Sequence, residues 1–203
     1  MKKANSTRLA RTGTIGLLAA ALLAGVPARA EETKEPKMTK ATQETKKTTV
    51  GFELDALPYL SGGWYGSAWV GRDRVRIRPV VASTELPSFL VEEGFSDAKV
   101  EAYALIVDWF FRDDFRGFWV GAGAEYWKNS VTNEADGGSA EWNNTVATVG
   151  GGYVWKIAGN LYVNPWVAGH LIVGGPTSVT AGGATYNPKR FSPEASVKLG
   201  WHF

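Results

Sequence analysis

From Val50 to the end of the chain, apolar and polar residues alternate with a period of two, the spacing of strands whose two faces differ chemically. The last segment shows this most regularly. Ala195, Val197, Leu199, Trp201 and Phe203 fall on one face, and Glu194, Ser196, Lys198, Gly200 and His202 on the other. Counting back, the alternation predicts further strands over 161–173, 142–155, 118–131, 98–111, 74–83, 63–71 and 50–59, eight in all. The links at 112–116 and 156–160 are tight, whereas 85–97, 132–139 and 174–192 are long and polar or Gly-rich. The first connection at that second end, 60–62, is very short. Short turns at one end and long loops at the other are the pattern of a transmembrane barrel.

The chemistry of the two faces points the same way. Val75, Ile77, Pro79 and Val81 alternate with Arg74, Arg76 and Arg78, and Phe52, Leu54 and Ala56 alternate with Glu53 and Asp55. A soluble barrel would bury the apolar set and present the charges to water. With lipid outside, the charges face a lumen and must pair there, since an unpaired buried charge costs several kcal/mol. The predicted lumen charges are Glu53, Asp55, Arg74, Arg76, Arg78, Lys99, Glu101, Glu125, Glu194 and Lys198, five acids against five bases, with Tyr103, Trp119, Trp127 and Trp166 beside them. The interior of an eight-stranded barrel is only wide enough for its own side chains, which argues against general porin activity. Periodicity alone also fits a soluble ligand-binding barrel read inside out. The Arg74, Arg76, Arg78 ladder argues against an apolar lumen of that kind.

The N-terminal region supplies the export context. Residues 1–30 carry Lys2, Lys3, Arg8 and Arg11, an apolar core over 15–26 and the Ala28-Arg29-Ala30 site, and read as a cleaved signal peptide. About twelve apolar residues fall short of the ~20 that a spanning helix needs. Residues 31–49, rich in Thr and mixed charges, read as a disordered periplasmic tail leading to the barrel at 50–203. Removal of the leader also changes the charge. Its five basic residues taken from 22 leave 17 against 20 acids, a net −3, so the basic balance of the whole chain is no argument for nucleic acid binding. The absence of Cys excludes disulfides, a thiol nucleophile and thiolate metal sites.

The leader, eight amphipathic segments, alternating connection lengths and the terminal Trp201-His202-Phe203 resemble the small eight-stranded outer-membrane barrels of the OmpA, OmpX and OmpW type. The resemblance spans about residues 50–203 and implies an all-β, eight-stranded antiparallel up-and-down transmembrane β-barrel in the bacterial outer membrane. It implies that Val197, Leu199, Trp201 and Phe203 form the assembly signal read by the outer-membrane insertion machinery, with periplasmic chaperones as earlier partners. The short first connection and a second strand of nine residues depart from the family pattern.

Candidate chemistry is sparse. His170 and His202 both point to the lumen in this reading, about six residues apart in height, too far for a shared metal or relay. Ser196, placed near His170, is the nearest approach to a nucleophile and base, without an identifiable third group. Gly121-Ala122-Gly123-Ala124 and Gly150-Gly151-Gly152 lie within strands, so neither opens a phosphate-binding helix. Trp69, Trp109, Tyr126, Trp127, Tyr153, Trp155, Trp201 and Phe203 gather near strand ends, and those facing lipid read as interfacial girdles. Lys189 and Arg190, at the end of the last long loop, are candidate contacts to lipopolysaccharide phosphate. The expectation is a monomer without catalytic residues, cofactor or metal, with membrane lipid as partner and a structural, envelope-integrity or surface-interaction role. A lipid-modifying or small-solute-transporting barrel is the alternative.

Overall fold

The computed structural model describes residues 47–203; the signal peptide expected over 1–30 and nearly all of the tail expected over 31–49 lie outside the described residues. Among the described residues, ten strands follow in order: β1 (Thr48–Asp55), β2 (Trp64–Arg72), β3 (Val75–Glu85), β4 (Phe95–Phe110), β5 (Gly117–Asn133), β6 (Ser139–Ala158), β7 (Leu161–Gly174), β8 (Val179–Ala181), β9 (Ala184–Tyr186) and β10 (Phe191–His202). Eight of them close into a barrel in the order β1-β10-β7-β6-β5-β4-β3-β2, every neighbour antiparallel, while β8 and β9 form a separate hairpin in the last long loop. The chain is an all-β, eight-stranded up-and-down barrel.

Outside and inside follow the alternation of sequence. Phe52, Leu54, Ile77, Val81, Leu105, Val107, Val120, Val149, Val167 and Leu199 are exposed on the outer wall, whereas Glu53, Asp55, Arg76, Asp108 and Lys198 are at most 1% exposed inside it. This inversion of the soluble pattern is that of a wall facing hydrocarbon. Aromatic residues mark its edges. Tyr103 pairs with Tyr126 at the long-loop side, and near the tight turns Trp109 meets Phe111 and Phe118 meets Tyr153, with ring centres 4.8 Å apart in both pairs.

The wall is uneven in height. β4, β5 and β6 have 16, 17 and 20 residues, well beyond the ~9–11 that cross a bilayer, while β1 and β2 have 8 and 9. The predicted first strand over 50–59 is therefore corrected: β1 starts at Thr48 and ends at Asp55, and helix α1 (Ala56–Leu60) follows. The cause is local. Asp55 caps the helix by accepting from Leu57 N at 3.1 Å, and Pro58 sits in the first turn, where a missing N–H leaves no helical bond unmade.

The long-loop end has its own core, built from Phe95, Ala98, Val131, Ala140, Trp142, Ala181 and Tyr186. The β8–β9 hairpin is tied to it through Asp136, whose carboxylate accepts from Gly138 N at 2.9 Å and Gly183 N at 2.7 Å. Gly182, at φ +57°, lies so close to that carboxylate that a Cβ would overlap it. The backbone donors hold the Asp136 carboxyl below the ordinary carboxylate range. Its depressed value means that the latch is complete above the unperturbed Asp value of about 3.9 and is lost as pH falls through the lower, folded-state value. Asp136→Ala is expected to speed amide exchange at Gly138 and Gly183 at pH 7 while leaving the buried Val146 amide protected; equal exchange at all three would remove the latch.

Candidate functional site

The lumen is layered. Nearest the tight turns, Trp69, Phe110, Phe115, Trp119, Val154 and Tyr162 form a buried aromatic layer. Tyr162 lies directly over Gly200, where a Cβ would overlap its ring, and its hydroxyl accepts from Trp69 Nε1 at 3.0 Å.

Above this layer, Glu53, Asp55 and Asp108 face Arg76, Arg78 and Lys198. The register explains the meeting: Arg76 and Arg78 share one face of β3, and Asp108 of β4 lies directly opposite Arg76 and diagonal to Arg78. Arg76 donates from Nε to Asp108 Oδ2 at 2.8 Å and from Nη1 to Glu53 Oε1 at 2.9 Å. Arg78 holds Asp108 with Nε and Nη2, both at 3.1 Å, and donates from Nη1 to the Tyr65 hydroxyl at 3.0 Å. Glu53 Oε1 also accepts from Tyr162 and Asn164, each at 3.1 Å. Asp55 accepts from Trp166 Nε1 at 2.7 Å and from the Ser196 hydroxyl. Lys198 Nζ stands 3.5 Å from the centre of the Trp166 ring and has no hydrogen-bond partner among the described residues. Three acids against three bases leave this layer without surplus charge.

A second cluster lies nearer the loops. His170 Nδ1 is 2.9 Å from Thr148 Oγ1 and 3.3 Å from Glu125 Oε1, and Nε2 is 2.9 Å from Glu194 Oε2. Thr148 donates to Glu125 Oε1 at 2.6 Å, and Trp127 Nε1 donates to Glu125 Oε2 at 2.6 Å. Both ring nitrogens thus face acceptors, and the Thr148 proton goes to Glu125 rather than to the imidazole. The cluster is an ion-pair and hydrogen-bond bridge between β5, β6, β7 and β10, without a free base beside a nucleophile. Among the described residues, no three His, Asp or Glu side chains are placed to hold a metal ion.

Between the charged layer and the loops lies a cavity of about 480 Å³. Its β3 and β4 wall is mostly apolar, with Val80, Ala82, Val100, Ala102, Ala104 and Ile106; the opposite side carries Glu125, Asn129, Thr148, His170 and Glu194, and Arg78, Tyr65 and Lys198 lie at its floor. That volume falls within the ~300–1,000 Å³ typical of ligand sites.

No protein-family model matches the chain, and no curated protein matches it in sequence. Among solved structures, it is similar to a major outer membrane protein from Thermus thermophilus, with 10% identity and a TM-score of 0.51 over 77% of this chain and 100% of that one. The chain shares the fold of the eight-stranded outer-membrane barrels. Neisserial surface protein A (NspA) also aligns, with 14% identity and a TM-score of 0.44 over 77% of this chain and 94% of that one.

The side chains of Glu53, Asp55, Arg76, Arg78, Glu125, Glu194 and Lys198 lie on the lumen side of their strands. Three residues assigned there from sequence do not. Arg74 is exposed in the tight turn between β2 and β3, one residue beyond the strand. Lys99 and Glu101 lie on the outer face of β4, as does Tyr103 at 45% exposure, because the inward residues are Ala98, Val100, Ala102 and Ala104. The physical reason is height: this part of β4 extends toward the loops, where charges can face out into headgroups and water. The same parity makes Asp108 the inward acid, which the sequence reading missed. Ser196 is level with Trp166, and Ser192 with His170, so the serine and histidine are not neighbours. Ten strand residues separate the level of His170 from His202, a distance on the order of 30 Å. Val197, Leu199, Trp201 and Phe203 are exposed on the outer side, and Lys189 and Arg190 are exposed just before β10.

Proposed function

We propose that this chain is an integral barrel of the bacterial outer membrane, closed to bulk solutes, with a structural, envelope-integrity or surface-interaction role. The observation that carries this reading is the pair of stacked lumen layers: an aromatic layer, then a charge-balanced network whose acids and guanidinium groups are buried. A water-filled pore would need these groups hydrated and apart. The apolar outer wall and the fold shared with the Thermus outer membrane protein support the location, and the signal-like residues 1–30 supply a route to it.

The test combines two measurements on the purified full chain. In detergent, the folded barrel is expected to migrate differently before and after boiling; in planar bilayers, it is expected to give no steady conductance. Steady ion currents from the wild-type chain would overturn the closed-barrel reading. Lys189 and Arg190 carry the surface part of the proposal, as exposed cations at the rim that suit anionic headgroup phosphates. Their joint replacement by Ala is expected to lower lipopolysaccharide co-purification severalfold, with the boiling-dependent shift intact. Unchanged co-purification would remove that contact. The outward line Val197, Leu199, Trp201 and Phe203 is proposed to serve the insertion machinery, after delivery by periplasmic chaperones, with the folded product a monomer and no catalytic residue.

A further inference from the structure

The barrel closes fully only in its lower half. Pairing of β1 with β10 stops at Asp55 and Lys198, although β10 continues to pair with β7 up to Phe191. On the other flank, pairing of β1 with β2 stops at Glu53 and Ser67, while β2 continues to Trp64 beside β3. Above those levels no strand of the described residues fills the space between β10 and β2. Helix α1 stands there instead. It is tied to β10 by Leu57 N donating to Ser196 Oγ at 3.2 Å, to β2 by the Tyr59 hydroxyl donating to the Tyr65 carbonyl at 3.1 Å, and to β3 through Ser61 Oγ and Thr84 Oγ1 at 2.9 Å.

This gap faces lipid. The outward residues beside it on β7 and β10, Val167, Leu171, Val173, Phe191 and Val197, are all exposed and apolar. The helix adds Leu57, Tyr59 and Leu60, the last 85% exposed. Open strand edges do not persist against hydrocarbon unless protein covers them or they line a cavity that water can fill. The edge here lines a cavity bordered by lumen residues such as Ala104 and also by outward-facing Phe191, Pro193 and Ala195. The cavity therefore reaches through the wall. On the outer-membrane reading the medium at its mouth is acyl chain; its β3 and β4 wall is mostly apolar, and charges on the rest of its lining are met within the lumen, Arg78 by Asp108 and His170 by Glu125 and Glu194.

We propose that the cavity takes an acyl chain of a membrane lipid, entering sideways between β10 and β2 past α1, with the headgroup remaining at the rim. The proposal rests on the outer-membrane reading above and names what the lumen of that barrel binds.

The experiment is photolabelling of the full chain, folded in phosphatidylcholine vesicles in which a fraction of the lipid carries a diazirine near the end of one acyl chain. Labelled positions are read by peptide mass spectrometry. The strand period supplies an internal control, since Leu105 and Val107 face the bilayer and Ala104 and Ile106 face the cavity. The expected result is labelling on both faces of this segment. In Ala104→Phe, which narrows the cavity, labelling at Ile106 is lost and labelling at Leu105 remains; Ala195→Trp at the mouth acts likewise. Labelling of outward residues alone, in a chain that shows the boiling-dependent shift, overturns the proposal and leaves the membrane barrel standing. Cavity labelling by a diazirine fatty acid added from solution, but not by the phospholipid, overturns sideways entry. Failure to label either face overturns the membrane reading and this proposal with it.

Discussion

Replacing Arg76 by Met is expected to lower the unfolding free energy of the barrel by about 3–5 kcal/mol, the range for breaking a buried ion pair by removal of one partner. Arg76 is 1% exposed and serves two acids at once, Asp108 at 2.8 Å and Glu53 at 2.9 Å. Its guanidinium also lies 5.1 to 5.6 Å from the ring centres of Phe110, Trp69 and Trp119, so its charge is held among aromatic faces as well as carboxylates. Without it, Arg78 must serve both acids. Arg78 already spends two donors on Asp108 and lies 3.8 Å from Glu53 Oε2, so Glu53 remains poorly compensated in a dry layer. Urea unfolding in lipid vesicles, followed by tryptophan emission, measures the loss. Adding Glu53→Gln to Arg76→Met is expected to recover part of it, because the charge left behind is removed with its partner. A single variant within about 1 kcal/mol of wild type would mean that water reaches these carboxylates, and the closed-lumen reading would fail with it.

The same network shows where sequence is legible and where it stops. β1, β3 and β10 have little overhang, so a charged residue away from their ends has nowhere to go but inward, whereas Glu85 at the loop end of β3 is exposed. Glu53, Arg76, Arg78 and Lys198 can be assigned by alternation alone. β4 differs because its 16 residues outrun the membrane. Lys99, Glu101 and Tyr103 have the same parity as Leu105, Val107 and Trp109, so an uninterrupted strand cannot place the first three inside and the last three in lipid. The apolar set decides the phase, since it must lie against hydrocarbon, and Asp108 then falls inside. That signal was present in the residues; the rule that charges face inward overrode it where the strand leaves the bilayer. The cavity is less legible. It depends on small residues, Ala82, Ala102 and Ala104, meeting across two strands, and on β1 ending four residues early at an Asp cap and a Pro. Period two is silent on both, because it describes direction along a strand and not the volume left between strands.

Gly200→Val is expected to destabilise the barrel by about 4 kcal/mol, combining overpacking with the loss of hydrogen bonds to a buried charge. A Cβ at this position overlaps the Tyr162 ring, which is 1% exposed and cannot move outward through the wall. If the ring moves along the lumen instead, its hydroxyl leaves Glu53 Oε1 and Trp69 Nε1, and its stacked contact with His202, at 5.8 Å between ring centres, is lost. A side chain at position 200 therefore reaches the charged layer through a single tyrosine. The dependence on Tyr162 is testable as a cycle. Tyr162→Ala alone is expected to cost about 3–5 kcal/mol as a large-to-small change in a packed layer, and adding Gly200→Val to it less than about 1 kcal/mol, because the ring that the new side chain would strike is gone. Equal costs of Gly200→Val in both backgrounds would show that the damage arises in the backbone of β10. Outward Val197, Leu199 and Trp201 are untouched by either substitution, so a barrel that reaches the membrane but unfolds easily separates the packing of this strand from the apolar line proposed to serve assembly.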